Sequence, residues 1–139
     1  MSFWLFKSEP DAWSWDQQVA KGAAGEEWTG VRNYQARNNM RAMKPGDLGF
    51  FYHSNIGKEM VGIVEVIRES APDSTTEDPR WDCVVIKAVK PLTRPVSLDE
   101  VKADPKLAEM ALVKSTRLSV QPVTPEEWAY ILKLSGTGA

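Results

Sequence analysis

The sequence predicts an α+β domain, with a small curled sheet of short strands and helices packed around it. Three observations carry this. Apolar runs of strand length, rich in aromatic and β-branched residues, recur between turn signals. Three Ser/Thr-x-x-Gln/Glu capping boxes, at Ser14, Ser97 and Thr124, mark helix starts outside those runs. No internal repeat, linker or low-complexity segment interrupts the 139 residues, which suit one domain over 1–139.

Phe3 to Phe6 is a short apolar run ending at Lys7, and it reads as the first strand. The Ser14 box opens a short helix that stops near Gly22, and GAAGEE at 22–27 reads as a loop. Asn33 reads as the N-cap of a helix from Tyr34 to Met43. Ala36, Met40 and Met43 form its core stripe, with Asn33, Arg37, Arg41 and Lys44 one residue further round. Pro45-Gly46-Asp47 is a turn, and LGFFYHS beyond it is a strand. Met60 to Ile67 and WDCVVIKAV from Trp81 are further strands, separated by the polar loop ESAPDSTTEDPR. The Ser97 box starts a helix that ends before Pro105, and Leu107 to Leu112 adds a helical turn or two. Arg117 to Pro122 reads as a strand, and the Thr124 box opens the last helix, with Pro125 at its favoured first position.

Composition excludes several functions. With 42% hydrophobic and 26% charged residues, the chain is globular rather than disordered. A net charge of -2 rules out a general polyanion-binding coat, so any nucleic-acid contact must be a local patch. Cys83 is the only cysteine and His53 the only histidine, so intramolecular disulfides, cysteine zinc clusters and His-pair metal motifs cannot be written. Acid and proline interrupt the N-terminus before a secretory leader could form, and no apolar run reaches membrane-spanning length. A cytoplasmic protein is expected. No Gly-rich phosphate loop or dinucleotide fingerprint is present, so neither cofactor nor metal is expected.

The chemistry concentrates where acid is missing. No Asp or Glu occurs between Glu27 and Asp47, yet Arg32, Arg37, Arg41 and Lys44 all fall there. A solvated helix face would account for them. Alternatively, Gly30 and Arg32 precede the Asn33 cap, where unpaired backbone N–H groups and the helix dipole attract an anion. Trp28 would set an aromatic face beside that anion, the combination a flipped nucleotide requires. Lys114 and Arg117 form a second basic island, with Arg117 and Ser119 on one strand face. Lys7-Ser8-Glu9 and Tyr52-His53-Ser54 cluster polar groups at strand ends, and Cys83 reads as a buried thiol. Six Trp, at 4, 13, 15, 28, 81 and 128, exceed what a core of this size holds comfortably, so one or two are expected at a site.

WLFKSEP, W-x-GVRNYQARN, MKPGD before FFYHS, VGIVEV, the Pro-Asp loop before Trp81 and RLSVQPV-x-x-EEW together resemble the EVE domain. The match runs in order from Phe3 to about Leu134, and the chain looks like the stand-alone bacterial form. The EVE domain belongs to the PUA-like group with the YTH and ASCH domains. The resemblance implies a curled pseudo-barrel of five or six strands and a pocket for a modified base flipped from DNA or RNA, such as a methylated or hydroxymethylated cytosine. It places Lys7, Ser8, Trp28, Val31, Asn33, Tyr52, His53 and Ser54 around the base and Arg32, Arg37 and Arg117 at phosphates. Trp81, Gly30, Gln35 and Ser119 are secondary candidates. The expected partner is DNA or RNA carrying a modified base, bound by a monomer without turnover. The competing expectation is an ASCH-like hydrolase of modified nucleosides using Lys7 and Glu9. A third is a protein-interaction domain whose basic islands are solvated.

Overall fold

The computed structural model describes residues 1–137. Six strands form one mixed sheet: β1 (Phe3–Ser8), β2 (Glu26–Glu27), β3 (Leu48–His53), β4 (Glu59–Pro72), β5 (Asp82–Ser97) and β6 (Val120–Val123). Their spatial order is β2-β5-β4-β3-β1-β6. β1 runs parallel to β3, from Phe3 opposite Leu48 to Ser8 opposite His53, and every other pairing is antiparallel. The sheet has two edges and is not closed, so the expected pseudo-barrel is an open curled sheet. Repeated register shifts between β4 and β5 supply the curl, because each bulge bends its strand and increases local twist.

Both faces of the sheet are covered, which explains why its central strands read as continuous apolar runs rather than as alternation. Trp4, Phe6, Phe51, Val64 and Ile86 point to one side, where Trp15, Trp28 and the α2 stripe Ala36, Met40 and Met43 meet them. Helices α1 (Trp15–Ala20) and α2 (Tyr34–Ala42) lie there. Leu5, Phe50, Tyr52, Met60 and Ile63 point to the other side, against α3 (Leu98–Ala103), α4 (Ala111–Lys114) and α5 (Pro125–Ser135).

The Ser14 and Thr124 boxes form as expected, with both reciprocal hydrogen bonds. The Ser97 box is half made. Ser97 accepts from the Glu100 N–H, but the Glu100 carboxylate is taken by a two-pronged ion pair with Arg94. The strand boundaries differ more. β4 runs on through Pro72, into residues read as loop, because Ala71 and Pro72 pair with Cys83 and Asp82. Trp81 lies outside β5, and β6 starts three residues later than Arg117, since Leu118 closes a turn onto Ser115. Gly62 is required by packing: a Cβ there would stand 2.3 Å from the Trp15 ring. Trp4, Trp15, Trp28, Trp81 and Trp128 are all buried and Trp13 half-buried, so the expectation that the core would have to shed Trp is corrected.

Candidate functional site

A cavity of about 420 Å³ opens at the ends of β1 and β2, within the range of small-ligand pockets. Lys7 and Ser8 enter it from β1, Glu26 and Glu27 from β2, and Trp28 to Arg32 from the chain leading into α2. Glu9, Ala12, Trp13 and Ser119 complete the lining. These segments converge because the Lys7 N–H bonds the Ser119 carbonyl and the Trp28 N–H bonds the Val84 carbonyl, carrying the β1–β6 pairing back beyond Val120 and the β2–β5 pairing on beyond Glu27.

Two indoles border the cavity. Trp28 packs edge-on against Phe6 and Phe51, with ring centroids 5.4 and 5.7 Å away, and only 8% of it is exposed. It is a core side chain with one accessible surface. Trp13 is held by its Nε1–H, which donates to Gln18 Oε1 at 2.9 Å, while Gln18 Nε2 donates to the Ile86 carbonyl. Trp81, the sequence's candidate for the second aromatic, is elsewhere. It stacks on Tyr34 at 5.0 Å, with the Arg32 guanidinium 5.5 Å from its ring centre.

Polar groups in the cavity are already constrained. The Ser8 hydroxyl donates to the Trp13 carbonyl at 2.5 Å, leaving its lone pairs to accept. Lys7 Nζ donates to the Thr116 carbonyl at 2.8 Å, and burial lowers its pKa from the ordinary lysine value. Glu27 accepts from the Ser74 hydroxyl at 3.3 Å and from the Cys83 thiol at 3.4 Å. Burial, then the Glu27 carboxylate, pushes that thiol up to about 11, so Cys83 is the inert buried thiol the sequence suggested. Glu26 lies 3.7 Å from Lys21.

The acid-free segment is supplied with partners from across the fold. Asp73, at the end of β4, receives the Gly30 N–H at 3.0 Å and Arg32 Nη1 at 3.2 Å. Its other oxygen accepts from Thr75. Burial alone pushes the Asp73 carboxyl up, but the Thr75, Gly30 and Arg32 bonds outweigh it and hold the group below its ordinary value. The anion drawn to this helix entrance is therefore the chain's own Asp73. Arg37 donates to the Arg80 carbonyl and Asn38, and Arg41 pairs with Asp82.

Of the residues named from sequence, the fold brings Lys7, Ser8, Glu9, Trp28, Gly30, Val31, Arg32 and Ser119 to the cavity. It does not bring the others there. Asn33 caps α2 through the Ala36 N–H, and His53 Nε2 accepts the Trp15 N–H at 3.0 Å. Tyr52, Ser54 and Arg117 border a neighbouring groove, and Gln35 faces a third depression near α4 and α5. Sequence reading missed Trp13, Glu26, Glu27 and Thr29 as lining residues. Trp13 sits beside a capping box, and the acidic pair lies in a segment read as loop. Only the pairing of Glu26 and Glu27 with Ile86 and Val85 places them.

The EVE domain family model matches residues 2–134. Mouse thymocyte nuclear protein 1 is 36% identical over 168 residues, covering 98% of this chain and 74% of that protein. A protein of known structure from Agrobacterium tumefaciens is 63% identical with a TM-score of 0.97, covering 99% of this chain and 94% of that one. Human thymocyte nuclear protein 1, solved in complex with DNA containing 5-methylcytosine, is 33% identical with a TM-score of 0.92 over the full length of both chains. No helix of the described residues is long and apolar enough to cross a membrane.

Proposed function

Because the chain belongs to the EVE domain family, we propose that it is a nucleic-acid-binding module that accepts a modified base, of the methylated-cytosine kind, in the cavity between Trp13 and Trp28. The observation that carries the reading is the full-length likeness to a human relative solved with 5-methylcytosine DNA. The cavity's chemistry agrees with it. An aromatic platform contributes roughly 1–3 kcal/mol per stacked base. Glu26 and Glu27 offer carboxylate acceptors, the partner a cytosine amino group needs, and Lys7 offers a donor for a base carbonyl. Half-buried acceptors and donors of this kind favour a base whose edge pairs with them.

Binding rather than turnover fits Lys7, whose amine is already a donor to the Thr116 carbonyl. The test is tryptophan-fluorescence titration with matched oligonucleotides, methylated and plain. Tighter binding of the methylated strand is expected. Equal affinity would remove the reader assignment and leave a general nucleic-acid binder. Incubation with acylated and alkylated nucleosides should yield no product, and any product would revive the hydrolase.

A further inference from the structure

A second concavity of about 380 Å³ adjoins the first and shares Lys7, Glu9 and Ser119 with it. Its far side is built by the turn between β3 and β4 and by the segment between α4 and β6. These contribute Lys58 and Arg117. The turn is tightly made: Asn55, Gly57 and Lys58 all have positive φ, and the Lys58 carbonyl accepts the Leu98 N–H at 2.8 Å. That bond pins the root of the Lys58 side chain to the start of α3.

Charge separates the two concavities. The first collects Glu9, Glu26 and Glu27 against Lys7 and an Arg32 already paired with Asp73. The second collects Lys7, Lys58 and Arg117 against Glu9 alone. Lys58 and Arg117 are exposed, and neither side chain makes an ion pair or hydrogen bond to another described residue. Arg32, Arg37 and Arg41 are engaged within the fold. Two unengaged cations facing one polar groove, continuous with a base-sized cavity, make a site for phosphates.

We infer that this second groove carries the nucleic-acid backbone beside the bound base, with Lys58 and Arg117 each meeting a phosphate and Lys7 standing at the junction. The inference rests on the reading of the first cavity as a base pocket. It moves the strand away from the basic face of α2 and adds Lys58, which no motif singled out.

The experiment measures oligonucleotide affinity against salt for wild type, Lys58→Ala/Arg117→Ala, and Lys102→Ala/Lys133→Ala, which removes equal charge from α3 and α5. The first double variant should flatten the slope of log K against log salt by about 1.8 on duplex, and lower affinity at low salt by roughly an order of magnitude. The control should keep the wild-type slope. All three should share one Tm to within a few degrees, since none of the altered side chains makes an ion pair or hydrogen bond to another described residue. Equal slopes for the two double variants would overturn the inference, as would a wild-type protein that binds no oligonucleotide. A flattened slope in a protein that does not distinguish methylated from plain strands would sink the base reading and leave the backbone groove standing.

Discussion

The two concavities share a wall yet have opposite electrostatic character. The cavity beside Trp28 is rich in carboxylates and its arginine is internally paired, whereas the groove beside it holds Lys58 and Arg117, whose side chains make no ion pair or hydrogen bond to another described residue. A base is uncharged and carries hydrogen-bond donors, so acceptors suit it. A phosphate needs cations. A chain with net charge -2 can meet both demands only by sorting its charges within one small surface. The comparison also shows that an arginine's neighbours in sequence are poor guides to its availability. Arg32 stands in an acid-free stretch and is paired, while Arg117 stands in another and is not.

The largest test is Trp28→Ala. Its edge contacts with Phe6 and Phe51 make it part of the core, and its removal should lower stability by about 3–5 kcal/mol in urea unfolding. Trp28→Phe should stay folded and lose preference for the methylated strand. A fully stable Trp28→Ala would mean that the first cavity is a surface feature and the contrast with the second is shallow.

Asp73→Asn should cost about 1–3 kcal/mol, because the Gly30, Arg32 and Thr75 donors lose a charged acceptor. The pH dependence has a definite sign. Asp73 sits below its ordinary value of 3.8 in the folded state, so its stabilisation is complete above that pH and disappears as pH falls through the folded value. Urea midpoints of wild type and Asp73→Asn should therefore converge in acid below 3.8.

Lys7→Met addresses the shared wall. It should cost about 1–2 kcal/mol of stability through the lost bond to Thr116, and should weaken methyl preference and salt dependence together. The smallest effect belongs to Arg32→Ala: on binding, it should alter the salt slope by less than the ~0.9 expected for one phosphate contact, because Asp73 already holds its guanidinium. A full unit of change would return the backbone to the α2 side.

Much of this architecture was legible in the residues. Ser14, Asn33 and Thr124 announce their helices because a cap is a local bargain between one side chain and the next three N–H groups. LGFFYHS and MVGIVEVI announce strands by composition. The end of β4 was not legible, because Ala71 and Pro72 are strand only by virtue of their pairing with Cys83 and Asp82 of β5, beyond a bulge at Glu69 and Ser70. The same holds for the site. Lys7, Ser8 and Trp28 come from strand ends, where polar groups stand out in sequence. Trp13, Glu26, Glu27 and Lys58 reach their concavities by way of turns and edges whose geometry no periodicity encodes. Gly30, with φ of +81°, could be recognised as special, but the acid its N–H binds lies 43 residues away.

The strand that carries Lys7 and Ser8 has an order of assembly built into it. β1 is made before every other strand of the sheet, yet its neighbours are β3, beginning at Leu48, and β6, where Val123 pairs with Phe3. A growing chain that has reached Lys114 therefore holds β1 with one flank open, and Ser119, which receives the Lys7 N–H, has yet to be added. Pairings this remote in sequence close slowly, since the intervening loop must be ordered before the contacts reward it. The shared wall of the two concavities is thus among the later parts to exist, and helices α1 to α4 and the β4–β5 hairpin can form before there is any site for them to support.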